Sequence, residues 1–151
     1  MFRFPKKALF AIEAVLDIAY YAGVGPVQSK EITRRQGIPR RYLEQALQQL
    51  VRHGILVGVR GPRGGYRLAR ERQRITIGDI VRVVQGPGNE ASEPDDMEGS
   101  KLGTKVVRPI WNEMQNMVMA RLDELSIEDL RGEIEKAGVV SDGRKALDFT
   151  M

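Results

Sequence analysis

Apolar side chains recur at helical spacing from the start of this chain, at Leu9, Ile12, Val15, Leu16, Ala19 and Tyr20, with Glu13 and Asp17 on the opposite side. The pattern predicts a first helix over 6–22, stopped by Gly23-Val24-Gly25-Pro26. Ser29 is a candidate cap for a short second helix reaching Arg35 or Gln36 before Gly37, and Pro39 suits the first turn of a third, which runs to His53 ahead of Gly54. In the third helix the spacing turns Leu43, Leu47, Leu50 and Val51 inward and leaves Arg40, Arg41, Glu44, Gln45 and Gln48 on an outward face. Two short β-type runs follow, 55–59 and 66–69, around the tip Arg60-Gly61-Pro62-Arg63-Gly64-Gly65. Thr76 with Asp79 forms a capping box that opens a helix over 77–85, closed by Gly86-Pro87-Gly88.

The stretch 86–104 is rich in breakers and acids and reads as a long flexible loop. From about 105 to 125 the set Val107, Ile110, Trp111, Met114, Met117, Val118, Leu122 and Leu125 makes a stripe wider than one contact face needs. Such a helix covers its own domain with one side and meets a partner chain with the other. Ser126 with Asp129 is a second capping box, for a short helix to about 137, and a polar tail ends the chain. No internal repeat is visible.

Two helices across a three-residue turn, followed by a hairpin with arginines on its tip, read as a winged helix-turn-helix. The predicted fold is therefore mainly α: a winged domain with a two-stranded β wing over 1–86, an acidic loop over 87–104, a long dimerisation helix and a short following helix over 105–137, and a tail over 138–151. With 151 residues and 42% hydrophobic content, the chain can bury one core and a smaller appended element.

Charge changes the picture more than size does. The net charge is +4, yet residues 1–75 hold 15 Lys/Arg against 5 Asp/Glu, whereas 76–151 hold 9 against 15. A basic half beside an acidic one predicts a polyanion-binding module followed by a segment that assembles or senses. Arg60 and Arg63 on one tip repel each other, a cost that a nearby polyanion turns into attraction. The chain has no cysteine, which excludes disulfides, thiolate catalysis and thiolate ligation of zinc or iron–sulfur clusters. With one histidine, no phosphate-binding loop and no paired carboxylates in the basic half, an enzyme is not expected. No apolar run approaches the ~18 residues needed to cross a bilayer, and the start lacks a signal-peptide pattern, so the expected location is the cytoplasm.

The order of elements and the local wording resemble the Rrf-two family of winged-helix regulators, the IscR, NsrR and CymR type. The similarity rests on Phe10-Ala11-Ile12-Glu13-Ala14-Val15-Leu16-Asp17-Ile18-Ala19, Arg35-Gln36-Gly37-Ile38, Tyr42-Leu43-Glu44-Gln45 and Val59-Arg60-Gly61-Pro62-Arg63-Gly64-Gly65-Tyr66. It implies a homodimeric transcription factor on an imperfect palindrome, with recognition helices in successive major grooves and wings in the minor groove. The expected base or groove contacts are Arg40, Arg41, Tyr42, Glu44, Gln45 and Gln48 on the recognition helix, with Arg60, Pro62, Arg63 and Gly64 on the wing. Chemistry agrees: Arg forks onto guanine, Gln pairs with adenine and Glu accepts from cytosine N4, although Glu44 could equally pair with Arg40 or Arg41 along the helix. Arg60 suits the potential of a narrow minor groove. Lys6, Lys7, Ser29, Lys30 and Tyr66 are expected at phosphates. The dimer interface is expected at Val107, Ile110, Trp111, Met114, Met117, Val118 and Leu122.

The chain departs from that family at one place. Iron–sulfur members carry three cysteines before the dimerisation helix, where 86–108 here offers neither Cys nor His, and Lys105 and Arg108 fall about where the last ligands would be. No metal or other cofactor is expected. Glu90, Glu93, Asp95, Asp96 and Glu98 form either a solvated acidic loop or a site for Mg or Mn. His53 at the end of the recognition helix simply complements the helix dipole. The signal would then be a small ligand, a protein partner or protein abundance. An RNA-binding or ribosome-associated winged protein is the alternative that charge alone leaves open.

Overall fold

The computed structural model describes residues 5–85 and 100–138. Residues 1–4, residues 86–99, which hold the breakers after the fourth predicted helix and most of the acidic loop, and the tail beyond 138 lie outside the described residues. Six α-helices and one hairpin are described: α1 Lys6–Tyr20, α2 Ser29–Gln36, α3 Arg40–Arg52, β1 Leu56–Val59, β2 Gly65–Leu68, α4 Ile77–Val84, α5 Arg108–Asp123 and α6 Ile127–Lys136. The fold is mainly helical with a two-stranded antiparallel sheet, as the sequence predicts. The strands pair from Leu56 with Leu68 to Val59 with Gly65. Leu56 is buried and Leu68 half-buried, while Val57 and Arg67 share the open face.

Helix α1 is central, and α2, α3, α4 and α6 all pack against it. Its buried arc is Ala8, Ala11, Ala14, Val15, Asp17, Ile18 and Ala19; of the predicted stripe Val15 and Ala19 are buried, Ile12 and Leu16 pack partly buried at its edge, and Leu9 is exposed. The correction has a steric reason, since alanines let neighbouring helices approach closely where larger side chains would hold them apart. Asp17, expected on the polar side, is 3% exposed. It is held by α2: Arg35 donates from Nε and Nη2 at 2.9 and 2.8 Å, and Gln36 adds a bond at 2.9 Å. The Arg35 guanidinium also stacks 3.7 Å from the Tyr21 ring centre, and its bond to Asp17 raises its pKa further.

The ends of the helices follow local chemistry, with adjustments. Gly37 closes α2 at φ 66, a left-handed conformation that glycine adopts without strain. Ser29 does not cap α2; Gln28 holds the cap position without a side-chain bond. Pro39 sits at the cap of α3 rather than within its first turn. In α3 the inward set is Leu43, Ala46, Leu47 and Leu50, and Val51 is exposed because it lies one position past the stripe. Both predicted capping boxes are present, Thr76 with Asp79 on α4 and Ser126 with Asp129 on α6. The two caps face each other, with Ile77 N donating to Leu125 O and Ile127 N to Ile75 O, both at 2.8 Å. Ile127 is thereby buried in the core of the winged domain.

The long helix starts earlier than about 105: residues 101–102 are helical and Gly103–Val107 form a π-turn that leads into α5. Of the wide apolar stripe, Leu122 and Leu125, with Met119, pack against the domain's own core. The other side is open, with Val107, Ile110, Trp111, Met114 and Met117 each about half exposed or more.

Candidate nucleic-acid interface

On α3 the residues Arg40, Arg41, Tyr42, Glu44, Gln45 and Gln48 are all exposed, because the 3.6-residue repeat that sends Leu43, Leu47 and Leu50 inward must send these out. Tyr42 touches Phe10 of α1 at a ring-centre distance of 6.0 Å, which sets the starts of α1 and α3 side by side. Lys6 and Lys7 open α1 one turn before that contact, Lys6 exposed and Lys7 half-buried. Glu44 accepts from Arg40 Nε at 2.9 Å, the within-helix pairing left open by the sequence. Exposed pairs of this kind are worth roughly 0.3–0.5 kcal/mol, so a cytosine amino group has little to displace.

The wing is built to hold a rigid tip. Gly61 has φ 108, and Gly64 N donates to Gly61 O at 2.9 Å to close the turn. A Cβ on Gly64 would strike the Val59 carbonyl, and one on Gly65 would strike the Val27 carbonyl. Gly64 is accordingly buried under the turn and shapes it, while Arg60, Pro62 and Arg63 are exposed above it. The base of the wing is tied to the segment before α2: Val27 and Tyr66 exchange backbone hydrogen bonds at 2.9 and 2.8 Å, and Gln28 Nε2 reaches Pro62 O at 3.4 Å. The wing tip and the first turn of α2, with half-buried Ser29 and exposed Lys30, are thus neighbours. Tyr66 is half-buried, packed against the core.

Electrostatics divide the basic half in two. Arg34 pairs with Glu31, Arg35 with Asp17, Arg72 with Glu128 and Arg74 with Glu71. Arg41, Arg60, Arg63 and Arg67 are exposed and make no ion pair among the described residues. Their charge is therefore available to phosphates or base edges. Arg67, on the open face of the hairpin beside Val57, was missed in the sequence-based site, although the alternation of Tyr66, Arg67 and Leu68 marks it as outward.

An exposed polar helix face beside a rigid arginine-tipped hairpin is the geometry of a DNA-reading module, and comparison with known proteins agrees. The family description Rrf2, iron-dependent transcriptional regulator, matches residues 4–133. The chain belongs to the Rrf2 family. It is 32% identical over 139 residues to the HTH-type transcriptional regulator IscR of Sodalis glossinidius, covering 91% of this chain and 84% of that protein. The solved structure of T. potens IscR superimposes with a TM-score of 0.74 at 32% identity, over 93% of each chain. CymR, the global cysteine regulator of B. subtilis, gives 0.70 at 29% identity over 88% of this chain and 98% of that one. This Rrf2 protein is thus a DNA-binding transcriptional regulator, not an enzyme, and no described helix is long and apolar enough to cross a membrane.

The iron–sulfur cluster of the family does not fit the donors of this chain. Cluster iron needs thiolates, with imidazole as a neutral substitute, and this Rrf2 chain has no cysteine. Its one histidine, His53, ends α3 with Nδ1 2.9 Å from the Gln49 carbonyl oxygen. No three His, Asp or Glu side chains converge on a metal-sized site among the described residues. Lys105 and Arg108 stand at the start of the long helix, and cations are poor neighbours for a metal. Glu90, Glu93, Asp95, Asp96 and Glu98 lie outside the described residues.

Proposed function

We propose that the protein is a homodimeric repressor that binds an imperfect palindrome in duplex DNA and needs no iron–sulfur cluster to do so. The observation that carries this reading is the set of exposed arginines shared between α3 and the wing, Arg41, Arg60, Arg63 and Arg67, which make no ion pair among the described residues. In the dimer, α3 of each protomer enters a major groove and Arg41, Glu44 and Gln45 near its N-terminus read base edges. Arg40, Tyr42 and Gln48 flank them, Arg60, Pro62 and Arg63 enter the minor groove, and Lys6, Lys7, Ser29 and Lys30 take phosphates. The open face of α5, with Val107, Ile110, Trp111, Met114, Met117 and Val118, supplies the dimer contact, and Leu122 lies at its border, where α5 meets the domain's own core. Repression needs only occupancy of promoter DNA in the cytoplasm, with no further activating surface.

Titration of labelled operator DNA tests the interface. Arg60→Ala and Arg63→Ala should each weaken binding by ~1–3 kcal/mol per groove contact, taken twice in a symmetric dimer. Glu44→Ala should instead relax base preference with little loss of affinity, because removing a carboxylate from a surface that faces phosphates eases repulsion. Unchanged affinity in both arginine variants would show the wing assignment to be wrong. Equal affinity of the wild type for structured RNA would favour the RNA-binding alternative.

Cluster independence has its own measurement. Protein purified anaerobically after iron-replete expression should be colourless and bind its operator fully in the presence of chelator. A brown preparation with stoichiometric iron and acid-labile sulfide, whose DNA binding is lost on chelation, would overturn that part of the reading.

A further inference from the structure

Helix α5 buries no residue along its length, and what packs against the winged domain is its C-terminal end, through Met119, Leu122 and the adjoining Leu125. There α4 and α5 come unusually close. A Cβ on Gly78 of α4 would collide with the Asp123 carboxylate, so only glycine leaves that side chain its place. One turn further along the same face of α4, Arg82 donates from Nη1 and Nη2 to Asp123 Oδ1 and Oδ2 at 2.7 and 2.6 Å. The two backbone bonds between the caps, Ile77 to Leu125 and Ile127 to Ile75, fix the chain just beyond. A two-pronged guanidinium–carboxylate fork is planar and directional, so it resists rotation in a way that a single ion pair does not. The 16 residues of α5 extend about 24 Å from this base at 1.5 Å per residue, and a tilt of about 5° there moves the far end by about 2 Å.

We propose that the Arg82–Asp123 fork, seated in the space left by Gly78, is a positioning device that sets the angle between α5 and the winged domain, and with it the half-site spacing that the dimer accepts. The inference rests on the dimeric, palindrome-binding reading above. Arg82 and Asp123 are half-exposed, with side-chain accessibilities of 53% and 39%, so the pair adds little to stability. What it controls is geometry: if α5 joins the two protomers, its angle at the base determines how far apart and at what relative rotation the two α3 helices are presented. Neither residue belongs to the α3 and wing face, and both act through the placement of that face.

The test uses the full chain and operators in which the half-sites are moved apart or together by one and two base pairs, each base pair adding about 34° of twist and 3.4 Å of rise. The wild type should show a sharp optimum, losing roughly tenfold or more in affinity for one base pair of displacement. Asp123→Ala and Arg82→Ala should flatten that profile to about threefold or less, and the double variant should flatten it no further, since the two residues act as one unit. Melting temperature, dimer sedimentation and affinity for an isolated half-site should stay close to wild type. Gly78→Ala keeps both fork residues but displaces Asp123, and should shift or broaden the optimum as well. A wild-type spacing profile in a dimeric Asp123→Ala protein, or an equal loss at every spacing, overturns the proposal and leaves the dimeric reading standing. A wild type that is monomeric, or indifferent to spacing, removes both.

Discussion

Met114→Glu in α5 is expected to convert the protein to a monomer and to reduce palindrome binding to that of a single half-site. Met114 is 47% exposed in the single chain and lines an almost wholly apolar hollow with Trp111, Met117, Val118, Arg121 and Leu122. If a second copy covers that hollow, a glutamate there is buried beside only Arg121, which already pairs with Glu124 at 3.0 Å, at a cost of several kcal/mol for each copy in the interface. Losing the dimer also removes the advantage of two linked half-sites, which can exceed a hundredfold. Because α5 contributes no buried residue to its own domain, the variant should fold with helical content and melting behaviour close to wild type. Sedimentation at micromolar concentration and operator titration read the result. A stable wild-type monomer, or a Met114→Glu protein that remains dimeric, would place the interface elsewhere.

Asp17→Ala should strongly destabilise the winged domain while leaving the exposed faces of α3 and the wing untouched. The Asp17 side chain is fully inaccessible and Arg35 only 14% exposed. Removing the carboxylate leaves a guanidinium without its bidentate acceptor between α1 and α2, together with the amide of Gln36. Breaking a buried pair by deleting one partner costs about 3–5 kcal/mol. In a domain of this size that is a fall in melting temperature of roughly 10 °C or more. Asp17→Asn should lose less, since an amide oxygen in the place of Oδ2 still accepts from Arg35 Nε and Gln36. The functional consequence follows from position: α2 is the first helix of the helix-turn-helix, so loosening it should weaken operator binding even below the melting transition. A loss under about 1 kcal/mol in urea unfolding would show that solvent replaces the carboxylate and that the network is not buried in solution.

Much of the exposed α3 face and of the wing could be read in the residues before any fold was known. The α3 face and the wing tip are legible because each depends on neighbours within one element. Helical repetition sends Arg40, Arg41, Glu44, Gln45 and Gln48 away from Leu43 and Leu47, and the glycines admit the reversal, Gly61 through its positive φ and Gly64 and Gly65 where a larger residue would meet backbone. Both capping boxes were equally plain, since Thr76 with Asp79 and Ser126 with Asp129 satisfy each other over three residues. Ser29 shows the limit of this kind of reading. A hydroxyl near a helix start makes a cap possible, but the path of the backbone from Val27, paired with the wing, assigns the cap position to Gln28 instead.

By itself, the sequence determined the order of elements, the outward polar face of α3, the arginine-bearing wing and the incompatibility of its donors with an iron–sulfur cluster, because these follow from local spacing or from which residue types exist at all. The tertiary structure decided which charges are spent internally and which remain. Arg34 and Arg74 are satisfied by near neighbours, but Asp17 and Arg35 meet across 18 positions and Arg82 and Asp123 across 41, and no periodicity along one helix records such a meeting. It also decided that α1 buries its alanines and a carboxylate while Leu9 faces solvent, since hydrophobicity counted along an element says which side chains favour burial, whereas the shape and donors of the surrounding helices settle which of them are buried.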